Sequence, residues 1–232
     1  MRHCREALPE MMQPGRISAH LELTLRAAAY YNGGMTALKK NDLISVDEYL
    51  GGELVSTLKH EYLGGYVYAM AGGTNAHNAI ASNTLVALGA RLRGRPCRTF
   101  NSDTKIRVRL PVQTRFYYPD VSVICRPNSP TDSFQDDPVV LVEVISDSTR
   151  RTDEGEKRDA YLTIGSLSVL LLVEQNSSAI RVYRRQDQGF VPEAYEGMEA
   201  VIPLPELATS LPLAEVYEAV TFTPEMLADD GV

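Results

Sequence analysis

Two acidic residues within strand-like apolar segments are the strongest chemical signal in this chain of 232 residues. Asp120 follows Pro119 at the start of a valine-rich segment, and Glu143 interrupts the apolar run 139–145. A carboxylate among apolar side chains is costly unless it is exposed, paired, protonated or bound to a cation. Asp120 alone also fits a solvent-facing edge strand, which the adjacent proline permits. If the two segments form neighbouring strands, both carboxylates can converge on one ion, and two hard oxygen ligands favour Mg²⁺ or Mn²⁺ over Zn²⁺.

A lysine in the following segment is a third candidate. Asp153, Lys157 and Tyr161 are four residues apart, so a helix places them on one face. The same spacing is typical of a solvated ion pair worth about 0.2–0.5 kcal/mol, and spacing alone favours that interpretation. In the functional alternative, the lysine is directed at the two carboxylates. There it stabilises negative charge on a phosphate or orients a water molecule.

The elements that position these residues follow from the periodicity of apolar side chains. Ser45 and Glu48 fit a capping box at the start of a short helix, and Gly64–Gly65 between two apolar runs predicts a β-hairpin. Beyond the hairpin, the pattern predicts a helix, three strands, a helix and a strand, over 75–93, 104–110, 117–125, 139–146, 153–164 and 167–174. A late antiparallel pair and a closing helix are predicted over 179–184, 190–195 and 213–220. A mixed α/β sheet covered by helices follows from this order.

The two ends of the chain differ in composition from the middle. We expect residues 1–34 to be an appended segment outside the core, residues 35–222 to form the domain, and residues 223–232 to be a tail. No run of 18 apolar residues is present, so no membrane partner is expected. The three cysteines are widely spaced and form no CxxC pair, which predicts neither a zinc ribbon nor a disulfide framework, with Cys125 as a small core residue. This usage is typical of a reducing, cytoplasmic compartment.

Charge is distributed unevenly along the sequence. Thirty acidic residues against 23 basic ones give a net charge of −7, which argues against a protein that simply coats phosphate backbones. Residues 91–115, however, contain eight basic residues and a single acidic one, Asp103. This block predicts a local DNA-binding surface, although a charge run is also typical of an ordinary solvated face. The predicted DNA-binding residues are Arg91, Arg93, Arg95, Arg107 and Arg109.

The order of these motifs resembles the Uma-type restriction endonuclease family of the PD-(D/E)XK nuclease superfamily. The likeness rests on Pro119–Asp120, the segment 142–146, Ser148–Thr149, and then Asp153, Lys157 and Tyr161. Flanking segments extend it over about residues 44–220, through 59–62, 65–70, 76–78, 102–105 and 211–217. The resemblance implies a restriction-endonuclease-like αβββαβ core with added β-hairpins. It also implies Mg²⁺-dependent hydrolysis of DNA phosphodiester bonds.

The resemblance also implies roles for individual residues. Asp120 and Glu143 would bind the ion, with Asp103 as a further carboxylate ligand ranked above Glu61. The superfamily pattern places a lysine two residues after the glutamate, where this chain has Ile145. We therefore expect Lys157 to act as the catalytic lysine, with Lys105 as the second choice. Supporting positions are expected at Glu61, His77, Lys105, Asp153 and Tyr161, and Ser146 and Thr149 are candidate helix caps.

Two other functions remain open from the sequence. Ile145 is compatible with a non-catalytic nucleic-acid-binding or regulatory module that keeps the nuclease fold. The acidic composition and the added β elements are compatible with a structural or oligomerisation domain. For either of the nucleic-acid functions we expect DNA as partner and a homodimer, because cutting two strands commonly uses two active sites.

Overall fold

A computed structural model of the chain describes residues 43–146 and 150–222. These residues form two compact units, one of 43–60 with 65–70 and the other of 61–64 with 71–146 and 150–222. The predictions for residues 1–34, Ser148–Thr149 and 223–232 lie outside the described residues. Within the described ranges, no helix combines the length and the apolar character needed to cross a membrane.

The first unit is built around a short capped helix. Helix α1 (Val46–Glu53) begins with the predicted capping box, in which the Glu48 amide donates to Ser45 Oγ and the Ser45 amide donates to Glu48 Oε2. Strand β2 (Tyr66–Ala69) belongs to this unit, while strand β1 (His60–Leu63), which precedes it across the turn Gly64–Gly65, belongs to the second unit from Glu61 onwards. Both glycines have positive φ, and the Met70 amide donates to the Lys59 carbonyl at 2.9 Å. The predicted hairpin is thus confirmed.

The second unit contains most of the strands and helices. Its strands are β3 (Arg98–Asn101), β4 (Lys105–Arg109), β5 (Thr114–Tyr117), β6 (Val121–Ile124), β7 (Phe134–Gln135), β8 (Pro138–Ile145), β9 (Val169–Glu174), β10 (Ala179–Gln186), β11 (Gly189–Glu196), β12 (Val201–Leu204) and β13 (Thr209–Pro212). Its helical segments are α2 (Asn75–Arg91), α3 (Arg150–Thr152), a π turn (Asp153–Lys157), α4 (Arg158–Tyr161), a 3₁₀ turn (Pro205–Leu207) and α5 (Leu213–Val216).

A six-stranded sheet in the order β11-β10-β9-β8-β6-β3 is the frame of this unit. Strands β8 and β9 run parallel, while β6 runs antiparallel to both β8 and β3. A second sheet includes β1-β5-β4-β7, and β12 pairs with β13. The predicted αβββαβ order is confirmed by α2, β3, β6, β8, the helical segment 150–161 and β9, so the mixed α/β fold is as expected.

Strand β8 is buried on both faces, as central strands are. Val140, Val142 and Val144 pack in the apolar cluster that contains α2 and the β12–β13 pair. Leu141 and Ile145 pack on the opposite face, in a cluster with residues of α4 and β9. Because side chains alternate along a strand, Glu143 faces the same side as Leu141 and Ile145.

The single strand predicted over 117–125 is wrong. The chain forms β5 and β6 there, which belong to different sheets and are separated by residues 118–120. Pro119 explains the break, because it has no N–H to donate to a continuing ladder. The assignment of 104–110 as the first core strand is also wrong, since β4 lies in the second sheet and β3 takes that place.

The absence of disulfides is a further prediction that the structure corrects. Cys97 and Cys125 form a disulfide across a separation of 28 residues. They directly flank β3 and β6, which pair with Arg98 opposite Ile124. Both cysteines also pack against the larger apolar cluster. Disulfides are uncommon in reducing compartments, so this bond does not support the expected cytoplasmic location. That location stays a prediction.

Candidate active site

The two sequence-predicted carboxylates lie side by side on neighbouring strands. Val121 of β6 pairs with Val142 of β8 in antiparallel register, so Asp120 comes beside Glu143 at the next position. Asp120 directly precedes β6 instead of lying inside it, and its Oδ2 accepts a hydrogen bond from the Val144 amide at 2.8 Å. This bond fixes the carboxylate over the carboxyl-terminal half of β8.

Glu143 is the most deeply buried acid of the cluster. Its side chain is 5% exposed, and its Oε1 accepts a hydrogen bond from the Tyr161 hydroxyl at 2.7 Å. Burial raises the pKa of Glu143 well above its usual range; Lys157 acts against this shift, while Asp153 and Asp120 add to it. Glu143 is therefore harder to ionise than an exposed glutamate, and the nearby Lys157 is the partner that favours its charged form.

Lys157 lies at the centre of the carboxylates. Its Nζ is 3.0 Å from Glu143 Oε1, 3.1 Å from Glu61 Oε1 and 3.6 Å from Asp153 Oδ1. Burial alone would lower the pKa of Lys157, but these three carboxylates outweigh burial and raise that pKa well above its usual range. Lys157 is therefore charged within the cluster, and its pair with Asp153 is buried instead of solvated.

The segment that carries Lys157 is not the continuous helix predicted over 153–164. Asp153–Lys157 forms a π turn in which Gly155 leaves the helical conformation, and α4 then ends at Tyr161. Despite this kink, Asp153, Lys157 and Tyr161 all reach the same cluster. Single π turns inside helices are frequent at functional sites.

The remaining predicted acids and the second lysine lie in different surroundings. Glu61 of β1 contacts Lys157, whereas Asp103 is hydrogen bonded to Asn101 at the turn between β3 and β4. Lys105 is buried, and its Nζ lies 5.2 Å from the centre of the Tyr118 ring. The structure therefore brings Glu61 to the lysine, and a ligand role for Asp103 stays a prediction.

His77 joins the cluster from the first turn of α2. Thr74 caps this helix by accepting a hydrogen bond from the His77 amide, and His77 Nε2 lies 3.3 Å from Asp120 Oδ2. Burial would lower the pKa of His77, but the hydrogen bond and negative charge of Asp120 outweigh it and raise the pKa. A histidine at a helix start gives no sign of this contact in the sequence, because the partner lies 43 residues away.

Tyr117 is a site residue that sequence reasoning missed. Its ring packs edge-on against Tyr161 with 5.4 Å between centroids, and Lys157 Nζ lies 5.7 Å from its centre. Burial raises the pKa of Tyr117 to about 12, so its hydroxyl stays protonated at neutral pH. The nearness of Tyr117 to Asp120 in the sequence could have indicated a place in the site. The strand predicted over 117–125 treated Tyr117 as an ordinary strand residue instead.

The donor set fits a hard divalent cation. Lys157 contacts three carboxylates, and His77 contacts a fourth, Asp120. The three at Lys157 are Glu61, Glu143 and Asp153. Within residues 43–146 and 150–222, no three His, Cys, Asp or Glu side chains are close enough to form a ready-made metal cage. Mg²⁺ fits such a site because it commonly uses one or two carboxylates and keeps several water ligands.

The predicted DNA-binding arginines mostly make contacts within the chain. Arg91 forms a two-pronged pair with Glu215, with both N···O distances 2.6 Å. Arg107 forms a similar pair with Asp136 at 2.7 Å, and Arg109 is 3.2 Å from the same carboxylate. The other two predicted residues, Arg93 and Arg95, are exposed. Arg95 donates a hydrogen bond to the Leu207 carbonyl.

A comparison with protein families matches residues 46–214 to the model Uma2, described as "Putative restriction endonuclease". The chain belongs to the Uma2 family. This Uma2 chain is 38% identical to "Uncharacterized protein slr1290" of Synechocystis over 148 residues, covering 63% of this chain and 76% of that protein. It is 29% identical to "Uncharacterized protein sll1609" of Synechocystis over 154 residues, covering 65% and 86%.

A solved structure supports the fold of this Uma2 chain. It is described as a crystal structure of "a putative nuclease belonging to DUF820" from Anabaena variabilis. The TM-score is 0.60 at 21% identity, over 75% of this chain and 97% of the other. At this identity the likeness is one of fold.

Proposed function

We propose that this Uma2 protein is an endonuclease that hydrolyses DNA phosphodiester bonds with Mg²⁺ or Mn²⁺. The observation that supports the proposal most strongly is the 3.0 Å contact between Lys157 Nζ and Glu143 Oε1. It supplies a lysine beside the glutamate although Ile145 occupies the usual lysine position. The family description points in the same direction.

Asp120 and Glu143 are the residues proposed to hold the ion, with Asp103 as the further candidate. A bound divalent ion would lower the pKa of a water molecule and neutralise negative charge on the phosphate. Lys157 keeps a positive charge next to Glu143, where it can stabilise the charge that develops on the phosphate or donate a hydrogen bond that orients the attacking water. Glu61 and Asp153 hold the ammonium group in this place.

The proposal includes DNA as the substrate, a second copy of the chain as the partner in a homodimer, and a cytoplasmic location. A homodimer would bring two sites to the two strands of a duplex. In the arginine block, Arg93 is an exposed candidate for contact with a phosphate backbone, whereas its neighbour Arg91 is paired with Glu215.

Cleavage of supercoiled plasmid DNA tests this function. We expect nicked and linear products with Mg²⁺ or Mn²⁺, none with EDTA, and none with Asp120→Asn or Glu143→Gln. Asp103→Asn, at the β3–β4 turn, decides whether Asp103 contributes. Asp132→Asn, at an exposed position, is the matched acid-to-amide control. Undiminished cutting by both the Asp120 and Glu143 variants would contradict the assigned site.

A non-catalytic nucleic-acid-binding module is the second candidate. It is favoured by the lack of a three-residue metal cage among the described residues and by Ile145 in the lysine position. Binding of double-stranded DNA, single-stranded DNA or RNA in a fluorescence anisotropy assay, without cleavage of any of them in Mg²⁺ or Mn²⁺, would support this candidate over the nuclease.

A further inference from the structure

We propose that His77 and Tyr161 are positioning residues that determine which oxygen of each carboxylate binds the metal. The inference rests on the proposed function, because it concerns the same two carboxylates. It assigns Asp120 Oδ1 and Glu143 Oε2 as the metal-binding oxygens. His77 and Tyr161 act through these carboxylates and are not themselves placed on the metal or the substrate.

Among the described residues, the Val144 amide and His77 contact the same oxygen of Asp120. The Val144 amide donates to Oδ2 at 2.8 Å, and His77 Nε2 lies 3.3 Å from the same atom. Within the described part of the chain, these contacts leave Oδ1 as the oxygen to offer to a cation. The backbone bond fixes the height of the carboxylate, and the imidazole restrains its rotation.

Glu143 shows the same division between its two oxygens. The Tyr161 hydroxyl donates to Oε1 at 2.7 Å, and Lys157 Nζ lies 3.0 Å from the same atom. Lys157 has other carboxylates to pair with, whereas the hydroxyl of Tyr161 is directed at Glu143 alone among the described residues. Tyr161 is therefore the partner that is dedicated to this glutamate.

The ring of His77 is held so that only one nitrogen can serve Asp120. Among the described residues, Nδ1 is buried and has no hydrogen-bond partner, whereas Nε2 lies 3.3 Å from Asp120 Oδ2. Gly73 packs directly against the ring, since a Cβ at position 73 would lie 2.6 Å from Nδ1. To donate to Asp120, Nε2 must carry a proton, which the imidazolium and one tautomer of the neutral ring both provide.

Hydrogen-bond partners of metal ligands typically change metal affinity by about 10- to 100-fold when they are removed. Isothermal titration of the full chain with Mn²⁺ alone measures this effect without reference to cleavage. We expect His77→Ala and Tyr161→Phe each to raise the Mn²⁺ dissociation constant by about 10- to 100-fold. His77→Gln should recover part of the affinity, because its amide N–H can donate to Asp120.

Two matched controls separate positioning from general damage. Asn83→Ala removes a side chain of the same helix that donates to the carbonyls of Val216 and Glu218. Tyr217→Phe removes a buried tyrosine hydroxyl that donates to the carbonyls of Glu174 and Ala179. Both controls should leave Mn²⁺ affinity unchanged. If His77→Ala does not fold in a metal-free thermal unfolding scan, Tyr161→Phe and His77→Gln provide the test.

The outcomes distinguish this inference from the proposed function. A wild-type chain that binds no Mn²⁺ would overturn both. Binding by the wild type that is lost in Asp120→Asn but unchanged in His77→Ala and Tyr161→Phe would keep the metal site and overturn the positioning roles. Equal weakening by the control variants would also overturn them.

Discussion

The carboxylate cluster and the arginine block are two charged regions among the described residues, and they differ in how their charges are paired. In the cluster, Glu143 and Lys157 are buried, and one ammonium group is shared by three carboxylates. In the arginine block, Arg91 and Arg107 each have a carboxylate of their own in a two-pronged pair.

This difference supports the placement of the proposed active site in the carboxylate cluster. Buried charges that remain unbalanced are costly for folding, and clusters with shifted pKa values are characteristic of active sites. Balanced pairs at partly exposed positions are ordinary structural contacts. The eight basic residues of the block therefore do not amount to eight cations available to DNA, whereas the cluster still has negative charge to offer to a metal.

The largest expected effect is on the acids of the cluster. Glu143→Gln should lower the initial rate of plasmid cleavage by on the order of 10²- to 10³-fold, because a neutral amide is a poor ligand for Mg²⁺. The unfolding midpoint should change little, since Lys157 keeps Glu61 and Asp153 as partners. A variant that cuts at the wild-type rate would remove Glu143 from the mechanism.

Loss of the shared cation should mainly affect stability. Lys157→Met leaves three carboxylates without it, and breaking a buried pair in this way costs about 3–5 kcal/mol of the free energy of unfolding. Urea unfolding measures the loss, and added Mn²⁺ should restore part of it. Lys157→Arg, which keeps the charge, should be much less destabilised. Equal stability of the methionine variant and the wild type would contradict the view that the three carboxylates depend on the charge of Lys157.

Within the arginine block, an exposed arginine can be compared with a paired one: Arg91 is the last residue of α2, and Arg93 follows the helix. Arg93→Ala should weaken DNA binding and reduce the slope of log affinity against log salt by about one. Arg91→Ala should leave DNA affinity nearly unchanged and cost at most about 1 kcal/mol of stability, because its pair with Glu215 is partly exposed. Fluorescence anisotropy over a salt series measures both. If Arg91→Ala weakens binding as much as Arg93→Ala, the paired arginines also contact DNA.

The smallest effect concerns the acid dependence of stability. Burial would raise the pKa of Asp136, but the hydrogen bonds from Arg107 and Asn128 and the charges of both Arg107 and Arg109 outweigh it and lower the pKa. Asp136 therefore contributes stability that is complete above its unfolded pKa of about 3.9 and is lost as pH falls through its lower folded pKa. Asp136→Asn should reduce the fall in unfolding free energy between about pH 4 and pH 2. An unchanged pH profile would contradict this contribution.

The centre of the candidate site could be predicted from the sequence because its signals are local. Asp120 and Glu143 stand out against apolar neighbours, and the four-residue spacing groups Asp153, Lys157 and Tyr161. The family resemblance supplied the expectation that Lys157 replaces the lysine missing at Ile145. Their meeting in the structure depends on the register of β6 and β8, which follows from pairing two valine-rich strands.

The parts that could not be predicted depend on contacts between distant segments. Strand β3 is short and has no alternating pattern, so its place beside β6 is visible only in the sheet. The same pairing brings Cys97 to Cys125 across 28 residues. Glu61 reaches Lys157 from β1, at a distance in sequence that no periodicity reports.

An anomalous diffraction map from a crystal soaked in Mn²⁺, recorded at the manganese edge, tests the central claim most directly. The proposed nuclease predicts a peak bound by the carboxylates of Asp120 and Glu143, with Lys157 beside it, and no such peak in a crystal of Glu143→Gln. A strong peak elsewhere, or no peak at a Mn²⁺ concentration that supports cleavage in solution, would contradict the assignment.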